Sequence, residues 1–464
     1  MHSHSTPAET YDALRPKLRG ELILKGDARY DSARALFNAM IDKKPAAIAQ
    51  CVDAADVMAC IDFARTQKIL LAVRGGGHNG PGLGSCDDGL VIDLSRMRSV
   101  HVDPVARTAT VGGGAVWGDV DHATHAFGLA AVSGIISSTG VGGLTLGGGI
   151  GYLARQYGLT VDHLLAVDMV LADGRFVTAD AERHPDLFWA VRGGGGNFGV
   201  VTRFTFRLHP VDTVLAGPIF WALEDAPAVM RAYESFIKEA PEDINGFFAF
   251  LTVPPVDLFP AELHLRKVCG IVWCSTADEA RTSAYIKTAE SWAKPLLSGI
   301  GPMPFPAVQR MFDGLYAPGM QWYWKADFVD HLSDEAITLH VQQAQKMPSL
   351  FSTMHLYPIN GAVHRVAEGA TAFNYRKTTW AKVIVGVDPD PANKEKISIW
   401  ARNYWEALHP FSAPGGYVNF MMEEGAARVQ ATYGSNYARL RQVKTTYDPE
   451  NVFRVNQNIP PAET

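Results

Sequence analysis

Residues 71–85, LAVRGGGHNGPGLGS, set one imidazole, His78, between three glycines and three more. Ordering a glycine costs about 0.5–1 kcal/mol against alanine at a regular position, so such a run marks a close approach to the main chain. A phosphate cradle and a tight turn that carries His78 both satisfy that requirement. Glycine clusters recur at 133–151, within SGIISSTGVGGLTLGGGIGYLARQYGL, and at 192–199, RGGGGNFG. Consecutive amides in such segments converge into concavities that hold anions without lysine or arginine. Three clusters in the first 200 residues therefore point to a nucleotide cofactor held mainly by backbone. Residues 75–80 and 194–199 also match G-x-G-x-x-G, a pattern that counts only between a strand and a helix. Pro81, Gly82 and Gly84 follow the first and the strand-like VVTRFTF follows the second, which sets a Rossmann unit aside. His122 and His125 in HATH have i, i+3 spacing but no third ligand nearby, so they read as helix surface and no metal is expected.

The elements that must position these residues begin with AAIAQ (46–50) and ILLAV (69–73), two strands. Between them Val57, Ile61 and Ala64 share a helical face, giving a βαβ unit whose second strand runs into the first glycine cluster. GLVIDLS, VHVDP and TATVGGG read as short strands, and AVWGDVDHATHAFGLA as a helix. LLAVDMVLADGRFVTA is a hairpin turning at Asp173-Gly174. VVTRFTFRLHP is a further strand ended by Pro210. Beyond about 212 the texture changes: helices such as DEARTSAYIKTAESWAK alternate with strands such as MQWYWKADFV, TMHLYPI and WAKVIVGVD, until glycines return at APGGYVNFM.

Composition narrows the class. The 464 residues are 47% hydrophobic and 19% charged, enough for a sizeable core, and the net charge is −6 with no basic block. Nucleic acid and anionic membrane are thus excluded as main partners. No apolar run reaches the ~18 residues of a membrane span. The polar opening MHSHSTPAET lacks a signal-peptide pattern. Five cysteines without a CxxC pair suit reduced thiols in a cytoplasmic protein.

VRGGGHN, STGVGGLTLGGGIGYLARQYGL, RGGGGNFGVVT and YGSNYARLRQVKTTYDPENVFRVNQNIPP, in this order, resemble the berberine-bridge-enzyme-like flavoproteins of the vanillyl-alcohol-oxidase, PCMH-type class. The resemblance covers about residues 40–212 and 412–461. It implies an α+β protein: a PCMH-type FAD-binding domain over 1–212, an inserted α+β substrate domain on an antiparallel sheet over 213–411, and a segment, 412–464, that rejoins the first domain. It implies FAD held by Arg74, Gly75, Gly76, Gly77, Asn79, Gly80, Ser138, Thr139, Gly140, Gly143, Gly149, Gly151, Val200, Asn419 and Asn456, with His78 as a covalent attachment point. Many relatives add a cysteine link, but the matching position here is Ile136, so one link is expected. Thr139 stands where relatives gate oxygen at the flavin edge.

The family's catalytic tyrosine, one residue after the asparagine, is replaced by Phe420. Another proton acceptor is then needed beside the substrate. Strand alternation offers His355 with Tyr357, Lys325 with Asp327, and Tyr417 with Asn419 on a strand of their own; Tyr375 is a further candidate. The expected activity is oxidation of an alcohol, sugar, or phenolic or polyketide-like small molecule, with molecular oxygen as acceptor and hydrogen peroxide released. A flavin oxygenase and a flavin-binding protein without turnover are the alternatives, and the sequence leaves the oligomeric state open.

Overall fold

The computed structural model describes residues 11–463; the opening segment read above as lacking a signal peptide lies outside them. The first sheet joins β1 (Glu21–Leu24), β2 (Ala47–Gln50), β3 (Leu71–Arg74) and β4 (Leu90–Asp93) in the order β1-β2-β4-β3. β2 and β3 both run parallel to β4, which lies between them, so the βαβ unit has a third strand inserted at its centre. Its helix, Ala54–Gln67, starts where Asp53 caps the Asp56 amide and stops at Lys68, whose φ of +53° breaks the spiral. Val57, Ile61 and Ala64 are buried on this helix as the spacing requires.

A second, antiparallel sheet joins β5 (Val100–Asp103), β6 (Thr108–Gly112), β8 (Leu164–Val170), β9 (Phe176–Asp180) and β10 (Val200–Arg207) in the order β5-β6-β10-β8-β9. β8 and β9 form the expected hairpin, turning at Gly174 with φ +84°. β7 (Leu129–Ala130) pairs with β11 (His209–Pro210). The helix Trp117–His125 forms within AVWGDVDHATHAFGLA.

From Thr213 the chain builds an eight-stranded antiparallel sheet. Its strands are β12 (Thr213–Ala222), β13 (Ile244–Thr252), β14 (Lys267–Ser275), β15 (Leu297–Ser298), β16 (Gly301–Pro304), β17 (Gln321–Val329), β18 (Thr353–Pro358) and β19 (Trp380–Asp388). Period-2 alternation divides their side chains. Ile384, Met354 and Phe248 pack beneath helices Ala226–Glu239, Asp334–Ala344 and Lys394–Leu408, whereas Val383, Val385, Tyr357 and Phe247 face the glycine loops.

The chain ends in helices Ala426–Tyr433 and Tyr437–Tyr447. Val429, Leu440 and Val443 share a core with Val111, Phe204 and Val167 of the second sheet. The strand expected to carry Tyr417 and Asn419 is instead a turn of 3-10 helix, Val418–Phe420, closed by the Phe420 amide on Tyr417 O at 2.8 Å. No strand among the described residues pairs with this stretch, and the Tyr417 hydroxyl is tied back to the glycine loop. No helix among the described residues is long and apolar enough to cross a membrane. All five cysteines are buried and free, with Cys51 and Cys60 sulfurs 4.0 Å apart.

Candidate active site

A cavity of about 340 Å³ lies between the glycine loops and the inner face of β17, β18 and β19, within the range of small-molecule sites. On the loop side, Gly76 and Gly140 stand back to back. A Cβ on Gly76 would fall 2.5 Å from the Gly140 nitrogen and Cα, so neither position admits a side chain. Gly77 takes φ +71°, a left-handed conformation that swings His78 round beneath Phe37. The two rings stack with centroids 3.8 Å apart. Gly143, on the cavity wall in the first turn of helix Val141–Leu146, meets nothing where its Cβ would be, and first-turn amides have no acceptor inside their helix.

His78 Nε2 lies 3.2 Å from Ser138 Oγ, and burial pushes its pKa down to about 4, so the imidazole is neutral at ordinary pH. Arg74 Nη2 donates to Asp93 Oδ2 at 2.8 Å, while Nη1 is buried without an acceptor. Asn456 Nδ2 donates to Phe453 O at 3.0 Å, and its Oδ1 is likewise unpartnered. A wall of open backbone with an orphaned donor on Arg74, an orphaned acceptor on Asn456 and the unpartnered Tyr433 hydroxyl fits a dinucleotide cofactor such as FAD.

The opposite wall is made of side chains. His355 and Tyr357, two apart on β18, point the same way, and Tyr357 Oη lies 2.6 Å from His355 Nδ1. Burial pushes His355 down to about 3 and Tyr357 above its ordinary range, so both are neutral, and in the tautomer with its proton on Nε2 the imidazole accepts from the phenol at Nδ1. Tyr417 Oη accepts from the Gly149 amide at 2.9 Å and from Asn419 Nδ2 at 2.8 Å; burial lifts its pKa to about 12. Phe420 sits between these tyrosines, 4.8 Å from the Tyr417 ring and 6.0 Å from that of Tyr357.

Arg74, Gly75, Gly76, Gly77, His78, Asn79, Thr139, Gly140, Gly143, Val200, His355, Tyr357, Tyr417, Asn419 and Asn456 all reach this one cavity. Four of the residues expected to hold FAD do not line it. Gly80 packs on Trp324, Gly151 on the Ser133 backbone, Ser138 stands at His78, and Gly149 holds Tyr417. Lys325 and Asp327 face the other side of β17: Lys325 Nζ meets Glu424 Oε2 at 2.9 Å and Asp327 Oδ1 meets Arg428 at 2.6 Å. Tyr375 stacks on Phe328 and bonds Ala431 O, also away from the cavity. His125 Nδ1 lies 3.4 Å from Asp212.

Sequence reading missed Phe37 and Asn38. Asn38 Nδ2 donates to Gly80 O at 2.8 Å and Trp322 O at 3.0 Å, and its Oδ1 accepts from the Trp322 amide at 3.1 Å. One buried amide thus ties the first glycine loop to β17, a role without a local signal. Trp322 and Trp324 do line the cavity, and their i, i+2 spacing in QWYWKADF was the available clue.

Residues 45–180 match the family described as FAD binding domain, and residues 416–460 match the one described as Berberine and berberine like. The chain is 31% identical to YgaK of Bacillus subtilis, an uncharacterized FAD-linked oxidoreductase, over 457 residues that span 96% of this chain and 98% of that protein. Among solved structures, 6-hydroxy-D-nicotine oxidase from Arthrobacter nicotinovorans superposes with a TM-score of 0.85 at 26% identity, over 96% of this chain and 98% of that one. Glucooligosaccharide oxidase from Acremonium strictum, whose FAD is 6-S-cysteinyl and 8α-N1-histidyl, shares the fold with a TM-score of 0.86 at 21% identity, over 98% and 100% of the two chains. The fold is α+β of the PCMH type, and the class it defines is the FAD-linked oxidoreductases. Within that class the chain belongs to the berberine-bridge-enzyme-like family.

Proposed function

We propose that this FAD-linked oxidoreductase takes hydride from a C–H bond of a small alcohol, sugar, or phenolic or polyketide-like molecule and passes the electrons to molecular oxygen, releasing hydrogen peroxide. One observation carries the reading: His78 and the His355–Tyr357 pair lie on opposite walls of a single cavity. FAD, when bound, supplies the hydride acceptor.

His78 is the proposed attachment point. Its neutral imidazole offers a nitrogen lone pair, and with Nε2 turned to Ser138 the free nitrogen is Nδ1. Ile136 cannot form a thioether and no cysteine lines the cavity among the described residues, which supports a single link. Arg74, Gly75 to Gly77, Asn79, Thr139, Gly140, Gly143, Val200, Asn419 and Asn456 form the proposed cradle, with Gly80, Ser138, Gly149 and Gly151 supporting it from behind.

At the sheet wall, a substrate hydroxyl donating to Tyr357 Oη releases its proton there as the phenol proton moves to His355 Nδ1. General-base help of this kind is worth about 10²–10⁴-fold. Burial disfavours an imidazolium, so the proton moves in step with hydride departure rather than ahead of it. Tyr417, with two N–H donors on its oxygen, orients rather than accepts. Thr139 is assigned to the oxygen path. The matching division of labour is 1–212 for FAD, 213–411 for substrate and 412–464 returning to the first part. Buried free thiols suit the cytoplasm.

A substrate panel scored for peroxide release tests the whole reading. Peroxide formed in step with product is the expected result. Labelled oxygen appearing in the product would replace the oxidase with an oxygenase, and reduced protein that stays reduced in air would remove oxygen as the acceptor.

A further inference from the structure

The large sheet sorts its charges by face. Lys325, Asp327 and Lys382 all lie on the helix-covered side, where Lys382 meets Asp327 at 3.3 Å and Asp327 meets Arg428 at 2.6 Å. The cavity side of the same strands carries Trp322, Trp324, Thr353, Val383 and Val385. Thr353 brings no free hydroxyl, because its Oγ1 is bonded to Phe250 O at 2.7 Å. Among the described residues, Arg74 is the only Asp, Glu, Lys or Arg on the cavity wall, and Asp93 meets its charge at 2.8 Å. What this wall offers a ligand is therefore mostly aromatic and aliphatic surface with few polar features: the neutral His355–Tyr357 pair, with Tyr316 and Trp324 also on the lining.

We infer that the substrate is a flat, uncharged, ring-bearing alcohol or phenol. It presents one hydroxyl to Tyr357, and it is neither an oligosaccharide nor a carboxylate. An oligosaccharide seated here would bury many hydroxyls against a wall with few partners for them, each unpaired group weakening binding by about tenfold. A carboxylate would lose its hydration with no cation to replace it. An aromatic ring instead gains offset or edge contacts with the two tryptophans. The inference deepens the hydride-transfer reading, on which it rests for the place of the reacting hydroxyl, but recognition is measurable without turnover.

The test is an anaerobic titration of the holoenzyme with naphthylmethanol, hydroxymethyl-naphthoate and cellobiose, reading perturbation of the flavin spectrum for binding and its bleaching for hydride transfer. Naphthylmethanol is expected to bind at least about tenfold more tightly than either of the others. Trp324→Ala, at a half-buried position that tolerates truncation, is expected to weaken naphthylmethanol by about tenfold and leave cellobiose unmoved. Cellobiose or the naphthoate binding within about threefold of naphthylmethanol overturns the inference, as does naphthylmethanol leaving the flavin spectrum unchanged or binding the Trp324→Ala variant as tightly as wild type. Tight binding of naphthylmethanol without bleaching supports the substrate class and counts against hydride transfer instead.

Discussion

The two walls of the cavity achieve closeness by opposite means. The loop wall removes side chains so that backbone meets backbone, as at Gly76 and Gly140. The sheet wall keeps the backbone in regular ladders and lets alternate side chains do the contacting, as at His355 and Tyr357. A wall of bare loops can hold an extended, many-atom group through amides, but it cannot hold a proton. A wall of strand side chains can hold a proton at a named atom, and one strand register decides which residues face inward. The expected consequence is a division of effects: changes on the loop wall alter flavin retention, and changes on the sheet wall alter the rate of its reduction.

The largest effect that would sharpen this division is at His78. The wild-type protein is expected to keep its flavin through acid precipitation and the His78→Ala variant to lose it entirely. Mild proteolysis of the wild type should give one flavin-bearing peptide, containing residue 78; a flavin-bearing peptide from 130–155 would contradict the single link. Next, Tyr357→Phe should slow anaerobic flavin reduction by about 10²–10⁴-fold with flavin retention unchanged. Loss of flavin in that variant would break the division.

Thr139→Leu should slow reoxidation in air by at least about tenfold while reduction stays within a few-fold, because a packed site feels even one added methylene. Equal reoxidation would mean oxygen arrives by another path. Gly140→Ala should destabilise the fold by about 1–3 kcal/mol, read from the denaturant midpoint, since Gly76 has no room to retreat.

The smallest effect is in pH. Burial holds His355 near 3, below the unfolded value of about 6.5. Below pH 6.5 the unfolded chain therefore binds more protons than the folded one, and stability falls as pH drops toward 3. This histidine contributes a slope of about 1.4 kcal/mol per pH unit, and His355→Gln should remove it. A slope unchanged by that substitution would show His355 titrating as it does in water.

The loop wall was the legible one. Glycine is chosen for its own backbone, so the runs at 74–84, 133–151 and 192–199 announce close approach without reference to any distant residue. Along β18 the alternation that pairs His355 with Tyr357 is equally local. The direction of a face is not: Lys325 and Asp327 show the same alternation as that pair and point into the helix layer instead. Tyr417 and Asn419 also looked like a strand pair, yet the bond that sets their geometry comes from Gly149, 268 residues away in sequence. Asn38, bonded to Trp322 across 284 residues, carried no pattern to read.

The five cysteines acquire a meaning once the proposed product is a peroxide. Peroxide attacks thiolates, and a thiol that rarely ionises is a poor target. Burial lifts Cys86 to about 11 and Cys274 to about 12 and pushes Cys269 up, while the neighbouring Cys60 thiol, together with burial, pushes Cys51 up. None of the five lines the cavity among the described residues. On the proposed oxidase reading, each turnover would send an oxidant out past walls of glycine, indole and phenol, with no cysteine on the cavity lining among the described residues for it to find.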